Sequence, residues 1–257
     1  PSSLGSVCIS VVNDEDVIIE DCNFYGYDRG VKVDYTAKNV TVHGCISYEP
    51  KTPIAGGNRY AFDIEGEKCL IECCVTDKSR HAYVLNGRVQ GPNTFMYCAA
   101  IRSVGGAPSG PHRLWGNGAL FDTVFESDGI NFENRRNSGS GHGWAAANCI
   151  AYNANGAMVT ENPPTARNFA VGCFNDHGAI EGHFLNGDTN RPKETWISKG
   201  HPVKPQCLYL YQVQHAAVAS LADVHEDTVN LEISEEEGNI VTTTEPDVES
   251  KSPRNRS

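Results

Sequence analysis

The sequence predicts an all-β protein built as a parallel β-helix, and three observations carry that reading. A cysteine returns about once every 25 residues in a short apolar setting: Val17-Ile-Ile-Glu-Asp-Cys22, Val40-Thr-Val-His-Gly-Cys45, Leu70-Ile-Glu-Cys-Cys74 and Thr94-Phe-Met-Tyr-Cys98. Ala119-Leu-Phe-Asp-Thr123 follows with threonine in the cysteine's place, then Ala146-Ala-Asn-Cys149 and Phe169-Ala-Val-Gly-Cys173, so the spacings are 23, 29, 24, 25, 26 and 24 residues. Self-similarity at such a period is the mark of a solenoid. Within each repeat, runs of three to five residues are separated by Gly, Asn and Asp, the pattern of short strands and tight turns. Coils of short strands stacked at the ~4.8 Å strand spacing give a parallel β-helix.

Residues that recur once per coil stack into a column. The cysteine column lies among apolar neighbours, so it reads as an internal ladder of reduced thiols, free cysteine being a small, commonly buried hydrophobe. Cys8, Cys69, Cys73 and Cys207 fall off this column, and any disulfide is to be sought among them. Cys73-Cys74 is not a CxxC pair and no second pair sits at zinc spacing, which argues against a metal site.

The chain has 257 residues, and its unbroken repeat favours one domain. We divide it into coils over 1–183, a Pro-rich segment and cap over 184–221, and an acidic, extended tail over 222–257. The segment Leu208–Leu221 reads as a short helix or a last strand that covers the open end of the core, a cover that solenoids require. Ser6-Val7-Cys8-Ile9-Ser10 already reads as a strand, so further domains or subunits are expected upstream of residue 1. No apolar run approaches the length of a membrane span. Net charge is −11, and residues 221–257 hold ten Asp/Glu against three basic residues. Such a balance excludes nucleic acid as the expected partner, because binding its backbone needs clustered positive charge.

Loops that leave one edge of a solenoid commonly make its binding face. The two longest, 102–116 and 126–144, follow Cys98 and Thr123 on consecutive coils and are expected to lie side by side. Pro111-His-Arg-Leu-Trp-Gly-Asn-Gly118 packs two basic groups, an aromatic ring and an amide together. Asn134-Arg-Arg-Asn-Ser-Gly-Ser-Gly-His-Gly-Trp144 combines guanidinium, amide and imidazole groups with glycines that let a ligand approach the backbone. Trp115 and Trp144 offer platforms for a sugar face, and Arg135 or Arg136 a two-pronged grip on a carboxylate. The preceding coil adds Arg80, His81 and Tyr83, and the following one Glu161. Each has a bland reading as well. Asn134, Asn137 and Asn148 suit turn-capping, the tryptophans suit loop anchoring, and the arginines suit surface ion pairs with Glu126, Asp128 and Glu133.

The coil pattern, with the blocks His112-Arg-Leu-Trp-Gly-Asn-Gly, Asn137-Ser-Gly-Ser-Gly-His-Gly-Trp, Glu161-Asn-Pro-Pro-Thr-Ala-Arg-Asn and Pro205-Gln-Cys-Leu-Tyr-Leu, resembles the right-handed parallel β-helix superfamily of pectate-lyase-like, polysaccharide-active proteins. The likeness covers roughly residues 10–215. It implies a right-handed coil, a secreted, extracellular location and an acidic polysaccharide as partner. The Trp-Ile-Asp-His and Arg-x-Pro-x-x-Arg motifs of the main pectate lyases are missing, and of the polygalacturonase motifs only Gly141-His142-Gly143 matches.

The first expectation is therefore a polysaccharide lyase that cleaves a uronic-acid-containing polymer by β-elimination. Such chemistry needs a neutralised carboxylate, a base and a proton donor. Arg135 or Arg136, with Asn134 or Asn137, would serve the carboxylate. His142 would be the base, His112 or Tyr83 the acid, and Arg113 would hold a neighbouring uronate, with Trp115, Trp144, Glu161, Arg80 and His81 completing the substrate site. No cofactor is required by these residues. Catalytic Ca²⁺ is an option for which Asp63 and Glu65, at i and i+2, supply only two ligands. The alternatives are a non-catalytic carbohydrate-binding or structural module, and a glycoside hydrolase using Glu161, Asp122, Asp128 or Glu133.

Overall fold

The computed structural model describes residues 7–182 and 195–224. It is a parallel β-solenoid of about seven turns, with a mean coil near 26 residues. Each full coil contributes a strand to three faces. The first face stacks Val7–Val11, Arg29–Val33, Tyr60–Ile64, His81–Asn86 and Gly110–Arg113. The second runs from Ile18–Glu20 through Thr41–His43, Cys69–Glu72, Asn93–Met96, Ala119–Asp122, Ile150–Tyr152 and Phe169–Val171 to Trp196–Ile197. The third holds Asn23–Tyr25, Ile46–Tyr48, Val75–Asp77, Ala99–Ile101 and Phe125–Glu126. Every strand pair is parallel and joins one coil to the next.

The corner between the second and third faces explains the cysteines. Asp21, Gly44, Cys73, Tyr97, Thr123, Asn153 and Gly172 each turn the chain there with φ between 46° and 63°. The next residue then points into the core. By strand register that inward column is Cys22, Cys45, Cys74, Cys98, Val124, Ala154 and Cys173. Thr123 is thus the left-handed turn residue, and Val124 takes the cysteine's place. Cys149 also leaves the column. It aligns with Cys69, Asn93, Ala119 and Asn168 at the entrance to the second face. The even spacings conceal this because one coil is longer and the next shorter.

All ten cysteines are free thiols, and Cys45, Cys74, Cys98, Cys149 and Cys173 are buried. From Cys45 onward, each column thiol is a weak donor aimed at a carbonyl one coil below. Cys74 Sγ lies 3.5 Å from Val42 O, Cys98 Sγ 3.4 Å from Ile71 O and Cys173 Sγ 3.3 Å from Ala151 O. Burial pushes the Cys149 thiol up to about 11 and Cys173 to about 12, which keeps them protonated and unreactive. In the second column, the Asn93 side chain accepts from Cys69 N at 2.8 Å and donates to Gly66 O at 3.0 Å. Asn168 likewise accepts from Cys149 N at 2.9 Å. These amides satisfy buried backbone groups between coils.

Aromatic rings fill the middle of the core. Phe62 stacks on Tyr83 at 5.6 Å and Phe95 on Phe121 at 4.7 Å, with Tyr83–Phe95 and Phe121–Phe132 contacts linking the pairs. Tyr83 is fully buried and its hydroxyl donates to Cys74 O at 2.8 Å. That removes it from the proton donors expected above.

After Trp196–Ile197, the chain turns back along the same corner. Val203 N donates to Asn153 Oδ1 at 2.8 Å, Tyr152 Oη to Pro205 O at 2.7 Å and Tyr209 N to Asp122 Oδ2 at 2.7 Å. Segment 203–209 therefore lies along the flank of two adjacent coils. One α-helix, Leu208–Val224, begins there among the described residues. The chain divides into a first compact unit, Pro1–Tyr211, and a second, Gln212–Ser257. Most of the acidic tail, from residue 225 on, and part of the Pro-rich segment, 183–194, lie outside the described residues.

Loop 102–109 is held from inside. The buried Glu126 carboxylate accepts from Ser103 Oγ at 2.6 Å, from Asp128 N at 3.2 Å and from Ser109 Oγ. Burial outweighs these donors and raises its carboxyl to about 7. A carboxyl raised by folding favours the native state below its unfolded value near 4.5, and that contribution is lost as pH rises through about 7. Replacing it by Glu126→Gln should remove a pH-dependent loss of up to about 3 kcal/mol between pH 5 and 8. Unfolding curves at both pH values measure this, and parallel losses in wild type and variant would refute it. Ellman titration should reach Cys8 and Cys73 readily in the native protein and all ten thiols in denaturant; fewer than ten would mean a disulfide.

Candidate functional site

A cleft of about 490 Å³ opens on the outer surface of the first face. Arg29, Tyr60, Arg80, Asn86, His112, Arg113, Arg135 and His142 line it, with glycines of loops 49–59 and 134–144 at its rims. The two sequence-predicted loops do not leave equivalent points. Loop 102–109 enters the first face, whereas loop 134–144 leaves the strand Ile130–Phe132, which continues that face one coil on. Within the stretch expected as a loop, Gly110–Arg113 is itself a strand.

A β-bulge aims His112. Pro111 lies opposite Leu85 and Arg113 opposite Asn86, so His112 is the extra residue. Loop 134–144 then folds back on itself. Arg135 N donates to Gly143 O at 2.7 Å, Gly143 N to Arg136 O at 2.9 Å and Leu114 N to His142 O at 3.1 Å. This hairpin delivers Arg135 and His142 to the ring of His112. Gly139 sits against His142 with φ of 58°, and a Cβ there would collide with the imidazole.

Three imidazoles and a phenol form one cluster. His81 is 4.6 Å from His112, His112 is 4.9 Å from His142, and Tyr60 packs edge-on to His81 at 5.0 Å. Arg135 donates to His112 Nδ1 at 2.6 Å and to His112 O at 2.8 Å. His112 Nε2 must then carry the ring proton and donate to Tyr60 Oη at 3.1 Å. The Tyr60 hydroxyl hydrogen is left to point elsewhere. His81 Nδ1 donates to Pro108 O at 2.9 Å, and its Nε2 has no hydrogen-bond partner among the described residues.

Electrostatics keep these rings neutral. Burial lowers His81 to about 3, and burial with the Arg135 charge pushes His112 well below the ordinary histidine range. His142 is half-buried and also lowered, by burial first and then by Arg135 and Arg113.

Among the described residues, Arg80, Arg113 and Arg135 have no carboxylate in ion-pair contact. Arg80 donates to Gly56 O and Arg113 to Asn86 Oδ1 at 3.1 Å. Arg29 is paired, at 2.9 Å from Asp63 Oδ2. Asp63 is buried, its carboxyl raised to about 6 by desolvation against the pull of Arg29. The cleft thus sets guanidinium groups beside imidazoles held uncharged by burial and neighbouring positive charge.

The predicted residues distribute unevenly. His142, Arg135, His112, Arg113 and Arg80 meet in the cleft, and His81 lies behind them. Arg136 and Asn137 are exposed on the hairpin and do not line it. Asn134 turns inward on its own loop, its Oδ1 accepting from Arg136 N at 2.9 Å. Trp115 and Trp144 are joined by Trp115 N to Trp144 O at 3.1 Å and lie outside the cleft lining. Glu161 is buried and accepts from Asn134 N at 2.6 Å, a structural task. Of the hydrolase carboxylates, Asp122, Glu133 and Glu161 are buried, and Asp128 holds Ala107 N at 3.2 Å. Asp63 is bonded to Arg29 and Asn86, which leaves the proposed calcium pair with Glu65 without support. The sequence reading missed Tyr60, Arg29 and Asn86, which come from coils with no conspicuous motif.

Comparison with protein-family models, with curated proteins and with solved structures finds no match to this chain. The resemblance to the pectate-lyase-like superfamily thus stands at the level of the parallel solenoid.

Gly139→Ala should displace the His142 ring without unfolding the coil. We expect a change in unfolding free energy of about 1–2 kcal/mol, with the His142 imidazole signals shifted and those of His81 retained. Unchanged His142 signals would contradict the packing described.

Proposed function

We propose that the chain is a polysaccharide lyase that cleaves a uronic-acid-containing polysaccharide by β-elimination. One observation carries this reading: three guanidinium groups, none in ion-pair contact with a carboxylate among the described residues, converge on neutral imidazoles in one open cleft. Guanidinium forks suit the planar uronate carboxylate, and their charge stabilises the enolate-like anion formed when C5 loses its proton. His142, lowered by its surroundings, is free to accept that proton at neutral pH. The electron pair of the C5–H bond forms the C4=C5 double bond, the C4–O bond breaks, and the leaving oxygen takes a proton. Tyr60 supplies it, its oxygen being held by His112 Nε2–H. Tyr60 thus takes the part first given to Tyr83.

A pure binding module would gain from protonated histidines beside an anion, and this cleft opposes their protonation. A hydrolase would need two carboxylates at the bond, whereas no carboxylate is among the cleft's lining residues. A secreted location and an acidic polysaccharide partner belong to the same proposal.

Absorbance at ~235 nm tests it on pectate, alginate, glucuronan and glycosaminoglycan panels, since only elimination creates the unsaturated product. His142→Ala should lower kcat by about 10²–10⁴, and Arg135→Lys should lower kcat/KM by about 10²-fold through loss of the fork. No absorbance rise on any polymer, with the protein folded, would overturn the proposal.

A further inference from the structure

A second cleft of about 340 Å³ adjoins the first and shares two of its walls, Asn86 and Arg113. Its other lining residues are Tyr35, Glu65, Gly87, Arg88 and Leu114. These sit just beyond the C-terminal ends of the same strands whose N-terminal ends carry Arg29, Tyr60 and Arg80. The two clefts are therefore consecutive along the strand direction and form one groove across the coil. From Arg29 to Val33 the strand advances four residues, roughly 13 Å, before the turn that carries Tyr35. That length exceeds one sugar ring.

The chemistry of the second cleft matches that of the first. Arg88 is exposed and has no ion-pair partner among the described residues. Arg113 bridges the two clefts, fixed by Asn86. Tyr35 is 73% exposed and Leu114 41%, two apolar side chains on the wall of this cleft. An exposed ring beside an unpaired guanidinium suits a sugar face with a carboxylate at its edge. Glu65 is the single acid in this wall.

Resting on the lyase reading, we propose that this second cleft is a uronate subsite, with Arg88 for the carboxylate and Tyr35 for the ring. The polymer then crosses the first face parallel to its strands, filling both clefts, and is cut in its interior. Substrate length and negative charge beyond the scissile bond become determinants of binding. Glu65 limits affinity there by facing the same carboxylates.

The test is calorimetric titration of the His142→Ala protein with di-, tetra- and hexameric oligouronates of galacturonic, glucuronic and mannuronic type. Using the impaired variant separates binding from turnover. We expect affinity for at least one type to rise with length. Arg88→Ala or Tyr35→Ala, both on exposed side chains, should weaken hexamer binding about tenfold and leave dimer binding unchanged, about one charge-assisted contact. Glu65→Gln should tighten hexamer binding. Binding that does not grow with length, or is untouched by Arg88→Ala and Tyr35→Ala, overturns the subsite and leaves the lyase reading standing. Failure of every oligouronate to bind the parent protein overturns both.

Discussion

Coil-to-coil register is the constraint on which everything else in this molecule depends. Each strand bonds to the equivalent strand of the next coil, so a residue's surroundings are set by its column. The corner before the thiol column shows how strictly this holds. Five non-glycine residues there accept a left-handed backbone, at a cost of order 1 kcal/mol each, because the stacked strands on both sides over-determine the turn. Once that corner is fixed, the next side chain must enter the core, and a small, weakly donating group fits against the carbonyl below. Cysteine, valine and alanine all satisfy the size limit. Cysteine alone adds the weak donor.

Register also builds the cleft. In the first face, Arg29, Tyr60 and His81 occupy one row on successive coils. Strict stacking would continue that row as a simple ladder. The register instead carries the row into loop 102–109, and His112, the extra residue at the bulge further along the next strand, turns its imidazole toward Tyr60 and His81, while the hairpin 134–144 closes the cluster with Arg135 and His142. Crowding positive charge around these rings makes the cluster hospitable to an anion and hostile to a proton. In the proposed lyase, this one arrangement would serve both to attract a carboxylate and to leave a base available.

Much of this was legible in the sequence, and what was not has identifiable physical causes. The period of the cysteine motif carries the solenoid, since stacking imposes it. The phase of the later coils was obscured, because a long coil ending at Ala154 and a short one ending at Cys173 average to an even spacing. That misplaced Thr123 and Cys149 by one position or one corner. His142, Arg135, His112, Arg113 and Arg80 were visible as a concentration of basic and flexible residues on neighbouring coils. Tyr60 and Tyr83 were not separable. Both lie on first-face strands at the same phase of the pleat; Tyr60 opens its strand, where its ring meets His112, and Tyr83 sits two rows further in, where its ring meets Phe62 and Phe95. The bulge that aims His112 leaves no mark in the sequence at all.

The neutral imidazole cluster within the arginine ring is the central claim, and the imidazole nitrogen-15 spectrum followed from pH 8 to pH 5 tests it most directly. His81 and His112 should stay neutral throughout, with the His112 proton on Nε2, and His142 should titrate below the ordinary histidine midpoint near 6.5. An imidazolium signal from His81 or His112 in that range, or a His142 midpoint at or above the ordinary value, would contradict that claim.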